Sequence, residues 1–215
     1  MIELAEISKI YVKGGIIYPA LNNISFKLEK GDFCSVIGAS GAGKSTLLNL
    51  IGGLIHPDSG KISFNGKDIY KLRTREIDMY RKRHLGFMFQ QFHLMPYLTV
   101  FENIRLACST KEHYDKMGFY LDKCGLTDLQ KKYPAELSVG EKQRTAFVRS
   151  IISDPDLLLA DEPTGNLDSA NSAILLELVR EFNENDGTVI MASHDPGIAG
   201  YAGRTLKLEK GRLVD

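Results

Sequence analysis

One stretch restricts this chain more than any other. Gly38-Ala39-Ser40-Gly41-Ala42-Gly43-Lys44-Ser45, followed by Thr46, satisfies the spacing G-x-x-x-x-G-K-[ST] without a gap. Phe33 to Ile37 ahead of it is apolar apart from Ser35, as a buried parallel strand should be, and Ser45 to Leu54 behind it reads as a helix. Each residue type answers a need of a polyphosphate. Glycines bring backbone amides close to phosphate oxygens, and the helix that begins near Lys44 aims its positive end at the same anion. Lys44 adds a full charge for the β- and γ-phosphates, while the Ser45 hydroxyl is placed to ligate a magnesium ion bridging them. Strand, loop and helix in this order predict an α/β nucleotide-binding domain.

At 215 residues and 43% hydrophobic content, the chain is the size of one such domain with room for a small insertion. Lys plus Arg and Asp plus Glu number 27 each, so no global field selects nucleic acid or an anionic membrane surface. Cys34, Cys108 and Cys124 form no C-x-x-C pair, and an odd count suits a reducing compartment. The longest apolar run, Leu47 to Ile55, is interrupted by Asn49 and two glycines and falls short of the roughly 18 residues of a spanning helix. Met1 leads into a strand pattern rather than a targeting segment.

Ile2 to Ile7 and Ile24 to Leu28 alternate apolar with polar or small residues, which predicts two half-exposed antiparallel strands joined by a loop rich in Gly, Pro and Asn. Tyr11 and Tyr18 are the aromatic residues between them, and either could offer a ring to a flat adenine. Gly60 to Asn65 adds a third strand to this group. Arg73 to His84 reads as a charged, exposed helix. Leu85 to Phe89 is a short buried strand that delivers Gln90 to its carboxyl end, where ligands of open α/β sheets bind. From Gln91 to Pro134 the pattern turns helical, with Val100 to Cys108 and Tyr114 to Cys124 as candidates.

Ser138, with Glu141 three residues on, has the capping-box spacing at the head of a helix running to about Ser153. Leu157 to Ala160 is too apolar to be anything but a central strand, and it ends in Asp161-Glu162. Two adjacent carboxylates ending a buried strand need a cation or a chemical task. Asn171 to Asn185 is an amphipathic helix, Thr188 to Ser193 a parallel strand with His194 at its carboxyl end, and Arg204 to Leu208 closes the chain.

With these elements in order, the chain resembles the ATP-binding subunits of ABC transporters over nearly its whole length. Gly38 to Ser45 is similar to the family's Walker A loop, Gln90 to its Q-loop glutamine, and Leu137 to Glu141 to its signature. Leu157 to Glu162 resembles Walker B with the catalytic glutamate, Asn166-Leu167-Asp168 the D-loop, and His194 the switch histidine. Tyr11, 27 residues before Gly38, falls where the family places its adenine-stacking aromatic. Phe89 to Pro96 and Leu159 to Asp168 resemble the subgroup of lipoprotein-releasing, macrolide-exporting and cell-division ABC ATPases. One departure is plain: where the family signature reads Leu-Ser-Gly-Gly-Gln, this chain has Val139 in the third position and Glu141 in the fifth.

The resemblance implies a P-loop NTPase core with a mixed central sheet and an antiparallel β subdomain (1–90 and 156–215), and an inserted α-helical subdomain (91–155) carrying the signature. It implies ATP and Mg2+ as ligands. Catalytic roles fall to Glu162, His194 and Lys44. Nucleotide contacts fall to Tyr11, Gly38, Ala39, Ser40, Gly41, Ala42, Gly43, Lys44, Ser45, Thr46, Gln90, Ser138, Gly140, Glu141 and Asp168, and metal contacts to Ser45, Gln90 and Asp161. Two copies would face head to tail, each ATP lying between one P-loop and the other signature. An integral membrane partner would dock near Gln90 to Leu98, placing the chain peripherally on the cytoplasmic face of the membrane, with no nucleic-acid partner. The competing readings are a non-translocating ABC ATPase transmitting force in cell division and a low-turnover regulatory subunit, which Val139 favours and Glu162 and His194 oppose.

Overall fold

A computed structural model describes residues 1–214. An antiparallel sheet has the order β2-β1-β4-β5, built from β1 (Ile2–Lys13), β2 (Ile16–Leu28), β4 (Ser59–Phe64) and β5 (Lys67–Asp68). A six-stranded mixed sheet has the order β10-β9-β3-β8-β7-β6, from β3 (Phe33–Ile37), β6 (Leu85–Met88), β7 (Leu157–Asp161), β8 (Thr188–Ser193), β9 (Arg204–Glu209) and β10 (Arg212–Val214). All its neighbours pair in parallel except β9 and β10. The helices are α1 (Lys44–Ile51), α2 (Thr74–His84), α3 (Val100–Arg105), α4 (Lys111–Asp115), α5 (Met117–Lys123), α6 (Val139–Ile151) and α7 (Ser169–Glu184).

Strand β7 explains why the core has two halves. Its side chains alternate in direction, so Leu157 and Leu159 join α1 and the antiparallel sheet in one apolar cluster. Leu158 and Ala160 face the other way, against Phe147 and Ile151 of α6 and Leu175 and Val179 of α7. Both faces are sealed, as the unbroken apolar run requires. Because β3, β6, β7 and β8 run parallel, the P-loop, Gln90, Asp161-Glu162 and His194 all emerge at one edge of the sheet.

Three local expectations change. The segment read as a loop between Ile7 and Ile24 is a hairpin: β1 and β2 pair as far as Lys13 and Ile16 around Gly14 and Gly15, whose φ values are 58° and 79°. Two consecutive residues of positive φ make the tight turn that suits twisted antiparallel strands, and Pro19 is tolerated because β2 is an edge strand. The helix expected over Tyr114 to Cys124 breaks at Lys116, because α4 buries nothing whereas α5 must turn Met117 and Leu121 inward. Helix α1 stops at Ile51 rather than Leu54, where Gly53 takes φ 63°.

Candidate nucleotide site

A cleft of about 520 Å³ opens at the carboxyl edge of the mixed sheet. It is lined by Tyr11 and Ala20 from the hairpin, by Ser40, Gly41, Gly43, Lys44, Ser45 and Thr46 from the loop and α1, and by Gln90, Glu162 and His194. Gly43 shows why the loop needs glycine: its φ is 109°, and a Cβ there would lie 2.3 Å from the Ala20 carbonyl oxygen.

Lys44 is nearly enclosed and donates from Nζ to the carbonyls of Gly38 (2.7 Å) and Ala39 (3.1 Å). Its third partner is Glu162, whose Oε1 is 3.2 Å away, and the same carboxylate reaches His194 Nδ1 through Oε2 at 3.1 Å. Glu162 therefore stands between the two groups that a terminal phosphate would need. It does so with φ 46°, a left-handed conformation that costs a glutamate about 1 to 3 kcal/mol and is characteristic of functional sites. The turn is held by Glu162 N–H donating to Ala192 O (2.9 Å) and Gly165 N–H donating to Glu162 O (3.1 Å).

Asp161 carries the one buried side-chain polar atom without a partner among the described residues, its Oδ1. Burial pushes its carboxyl above the ordinary 3.8, opposed by the neighbouring Ser45 hydroxyl. An orphaned carboxylate oxygen beside a hydroxyl fits a hard cation. No group of three His, Cys, Asp or Glu side chains suited to a metal occurs among the described residues, so such an ion would be completed by neutral side-chain oxygens, phosphate or water.

The signature residues lie elsewhere. Ser138 caps α6, its Oγ accepting from Glu141 N–H (3.3 Å) while Glu141 Oε2 accepts from Ser138 N–H (2.7 Å). Asp168 caps α7, accepting from Asn171 N–H at 2.8 Å. Ser138, Gly140, Glu141 and Asp168 do not line the cleft, and neither do Gly38, Ala39, Ala42 or Asp161. Val139 begins α6 with its side chain exposed and its φ outside the left-handed region, so the branched residue sits there without backbone strain.

Residues not singled out in the sequence join these parts. Ala20 reaches the cleft through the unforeseen hairpin. Asn171 accepts from Arg144 Nη1 of α6 (3.0 Å) and donates to Asp168, linking signature helix to D-loop. Arg149 donates to the carbonyls of Phe92 (2.8 Å) and His93 (2.7 Å), and the buried Asn103 donates to Met95 O, Leu98 O and Thr99 O while accepting from Met95 N–H. Only their polarity on otherwise apolar helix faces marked them. A second groove, of about 510 Å³ between α5, α6 and α7, holds no P-loop residue, and its Lys123–Glu181 and Lys30–Asp186 pairs are internally satisfied.

Comparison with known proteins fits this geometry. The family model described as ABC transporter matches residues 21–165. The ABC transporter ATP-binding protein YxdL of Bacillus subtilis is 40% identical over 100% of this chain and 86% of its own length. The lipoprotein-releasing system ATP-binding protein LolD of Coxiella burnetii is 40% identical over 99% of this chain and 94% of its own. The macrolide export ATP-binding/permease protein MacB of Syntrophobacter fumaroxidans is 39% identical over 98% of this chain, which spans 31% of that protein. Among solved structures, the dimeric bacterial ABC transporter cassette MJ0796 superposes with a TM-score of 0.93 at 35% identity, covering 100% of this chain and 97% of that one. The same cassette in a dimeric post-hydrolysis state bound to ADP and Pi gives 0.92 at 33% identity, with coverage of 100% and 97%. With a family match over more than half its length, full-length relatives and the P-loop cleft in place, the chain belongs to the ABC transporter family as an ATP-binding ATPase cassette.

Proposed function

We propose that two copies of this chain associate head to tail around two Mg-ATP molecules and that their closing drives separate membrane-spanning partners. The observation that carries this reading is the likeness to dimeric cassettes, together with a cleft lined by P-loop residues, Gln90, Glu162 and His194 while Ser138 and Gly140 stand apart at the head of α6. Each signature is then free to meet the nucleotide of a second copy, in keeping with the dimeric cassettes to which the chain is similar.

Within each site, Tyr11 stacks on adenine in preference to Tyr18, which does not line the cleft. Backbone amides of the loop and Lys44 hold the β- and γ-phosphates. Ser45, Gln90 and, mainly through water, Asp161 hold magnesium. Bound with the nucleotide, that ion supplies charge neutralisation at the phosphate oxygens. Before ATP enters, Glu162 is the counter-anion of Lys44. A polyphosphate brings its own negative charge to Lys44 and frees Glu162 to take the proton of the attacking water, while His194 contacts the γ-phosphate. Met95, Pro96 and Tyr97 are exposed, and with half-buried Phe92 and Leu94 they form the surface for the membrane partner. A chain working in this way sits on the cytoplasmic face of the membrane, beside its membrane-spanning partner.

Glu162→Gln tests the composite site. The amide fills the same space but cannot accept the proton, so Mg-ATP should bind without turnover and a dimer should accumulate on gel filtration. Monomer alone, together with unchanged phosphate release, refutes both the role of Glu162 and the shared site.

A further inference from the structure

The β1–β2 hairpin outruns the sheet that supports it. Strand β1 pairs with β4 only as far as Ser8, opposite Ser59, and beyond that point its outer edge has no ladder partner. Asp58, the residue before β4, takes over. Its own N–H donates to Ser8 O (2.9 Å), its Oδ2 accepts from Ile10 N–H (2.6 Å), and its Oδ1 accepts from Lys9 Nζ (3.0 Å). Tyr11, the next residue, lines the nucleotide cleft and is otherwise half exposed.

Lys9 is not an ordinary surface lysine. Only 15% of its side chain is exposed, and its ammonium lies over the Tyr11 ring, 5.8 Å from the centroid. A cation at that distance is attracted to the negative face of an aromatic ring. Asp58 keeps the ammonium from swinging into solvent, and the N–H of Ile10, followed by Lys9, holds the Asp58 carboxyl below the ordinary aspartate range, so the anchor stays charged at neutral pH. The hairpin is thus pinned one residue before its aromatic, and the aromatic is gripped from one side.

We propose that Lys9, held by Asp58, is a positioning residue that fixes the Tyr11 ring for a purine base. The inference rests on the reading of Tyr11 as the adenine-stacking side chain. It makes base affinity depend on a residue that touches neither phosphate nor base.

Calorimetric titration of the purified chain separates the two ideas, with ADP reporting base plus phosphates and inorganic pyrophosphate reporting phosphates alone. Lys9→Met keeps most of the stem and removes the charge, and it should weaken ADP binding about three- to ten-fold while leaving pyrophosphate unchanged. Lys9→Arg keeps a cation over the ring and should restore most of the loss. In a Tyr11→Ala background, Lys9→Met should have no further effect, because nothing is left to position. If Tyr11→Ala weakens ADP but Lys9→Met does not, the role of Lys9 is wrong and the stacking assignment stands. If Tyr11→Ala leaves ADP binding unchanged, the stacking assignment itself fails. Equal weakening of ADP and pyrophosphate by Lys9→Met would mean general damage to the cleft and would overturn the proposal.

Discussion

Gly140→Ala should destabilise the chain, and the structure says by how much and through which neighbour. A Cβ at Gly140 would lie 2.3 Å from Asn171 Oδ1 and 2.7 Å from its Cγ, so the carboxamide must leave. Its departure breaks the bond from Arg144 Nη1 (3.0 Å) and those to the two Asp168 carboxylate oxygens (3.0 and 3.1 Å). One partly buried charge-assisted bond and one exposed pair together account for roughly 2 to 3 kcal/mol. Opposing this, alanine is favoured over glycine inside a helix by about 1 kcal/mol, and the position has no positive φ to penalise it. The net loss should be about 1 to 2 kcal/mol. The decisive measurement is a double-mutant cycle by urea unfolding. Asn171→Ala removes the obstructing carboxamide, so in that background Gly140→Ala should be neutral or stabilising by up to about 1 kcal/mol. A loss of equal size in both backgrounds would show that Gly140 is required for a reason other than Asn171.

Val139→Gly should raise ATPase activity in the assembled complex, by on the order of ten-fold, if the valine costs about 1 to 2 kcal/mol of transition-state stabilisation; an unchanged or lower rate rejects a tuned-down signature. Asp161 gives a pH signature. Its raised pKa means that the folded chain holds this proton to higher pH than the unfolded chain, so its stabilising contribution is full below the ordinary 3.8 and is lost as pH rises through the raised value. Asp161→Asn should therefore flatten the decline and make the nucleotide-free chain more stable at neutral pH while weakening magnesium-dependent ATP binding; lower neutral stability by denaturant unfolding contradicts this. Substituting Met95 and Tyr97 by serine should uncouple transport in the assembled complex and spare ATP binding by the isolated chain, whereas normal transport would remove this surface as the docking site.

Much of the site could be read from the chain because its chemistry is local. The P-loop works through backbone amides within one turn, and the apolar run before Asp161-Glu162 fixes a strand whose carboxyl end must face a ligand. The same locality explains what was missed. Lys9, Ala20 and Asn171 matter through partners 49, 23 and 31 residues away, namely Asp58, Gly43 and Gly140, and no periodicity reports such pairings. The hairpin was different, since Gly14-Gly15 between apolar stretches is itself a turn signal. Pro19 points the other way, because proline suits a strand only at a sheet edge, and sequence alone does not show that β2 lies at one. Likewise, the Tyr114 to Cys124 pattern fitted one helix because periodicity cannot show that its first turn has no core to meet.

The grip of Arg149 on Phe92 and His93 makes α6 a lever. Val139 stands at one end of this 13-residue helix and Arg149 near the other, about 15 Å apart along the axis. A rotation of about 10° about its midpoint would carry each end about 1.3 Å in opposite senses. Such a stroke is enough to make or break a hydrogen bond. Asn103 ties Met95, Leu98 and Thr99 together just beyond that contact, so the exposed Met95 and Tyr97 belong to one stiffened turn. A tilt of α6 at its Val139 end would therefore be registered at Phe92 and His93 as a displacement, by a route that does not pass through Gln90.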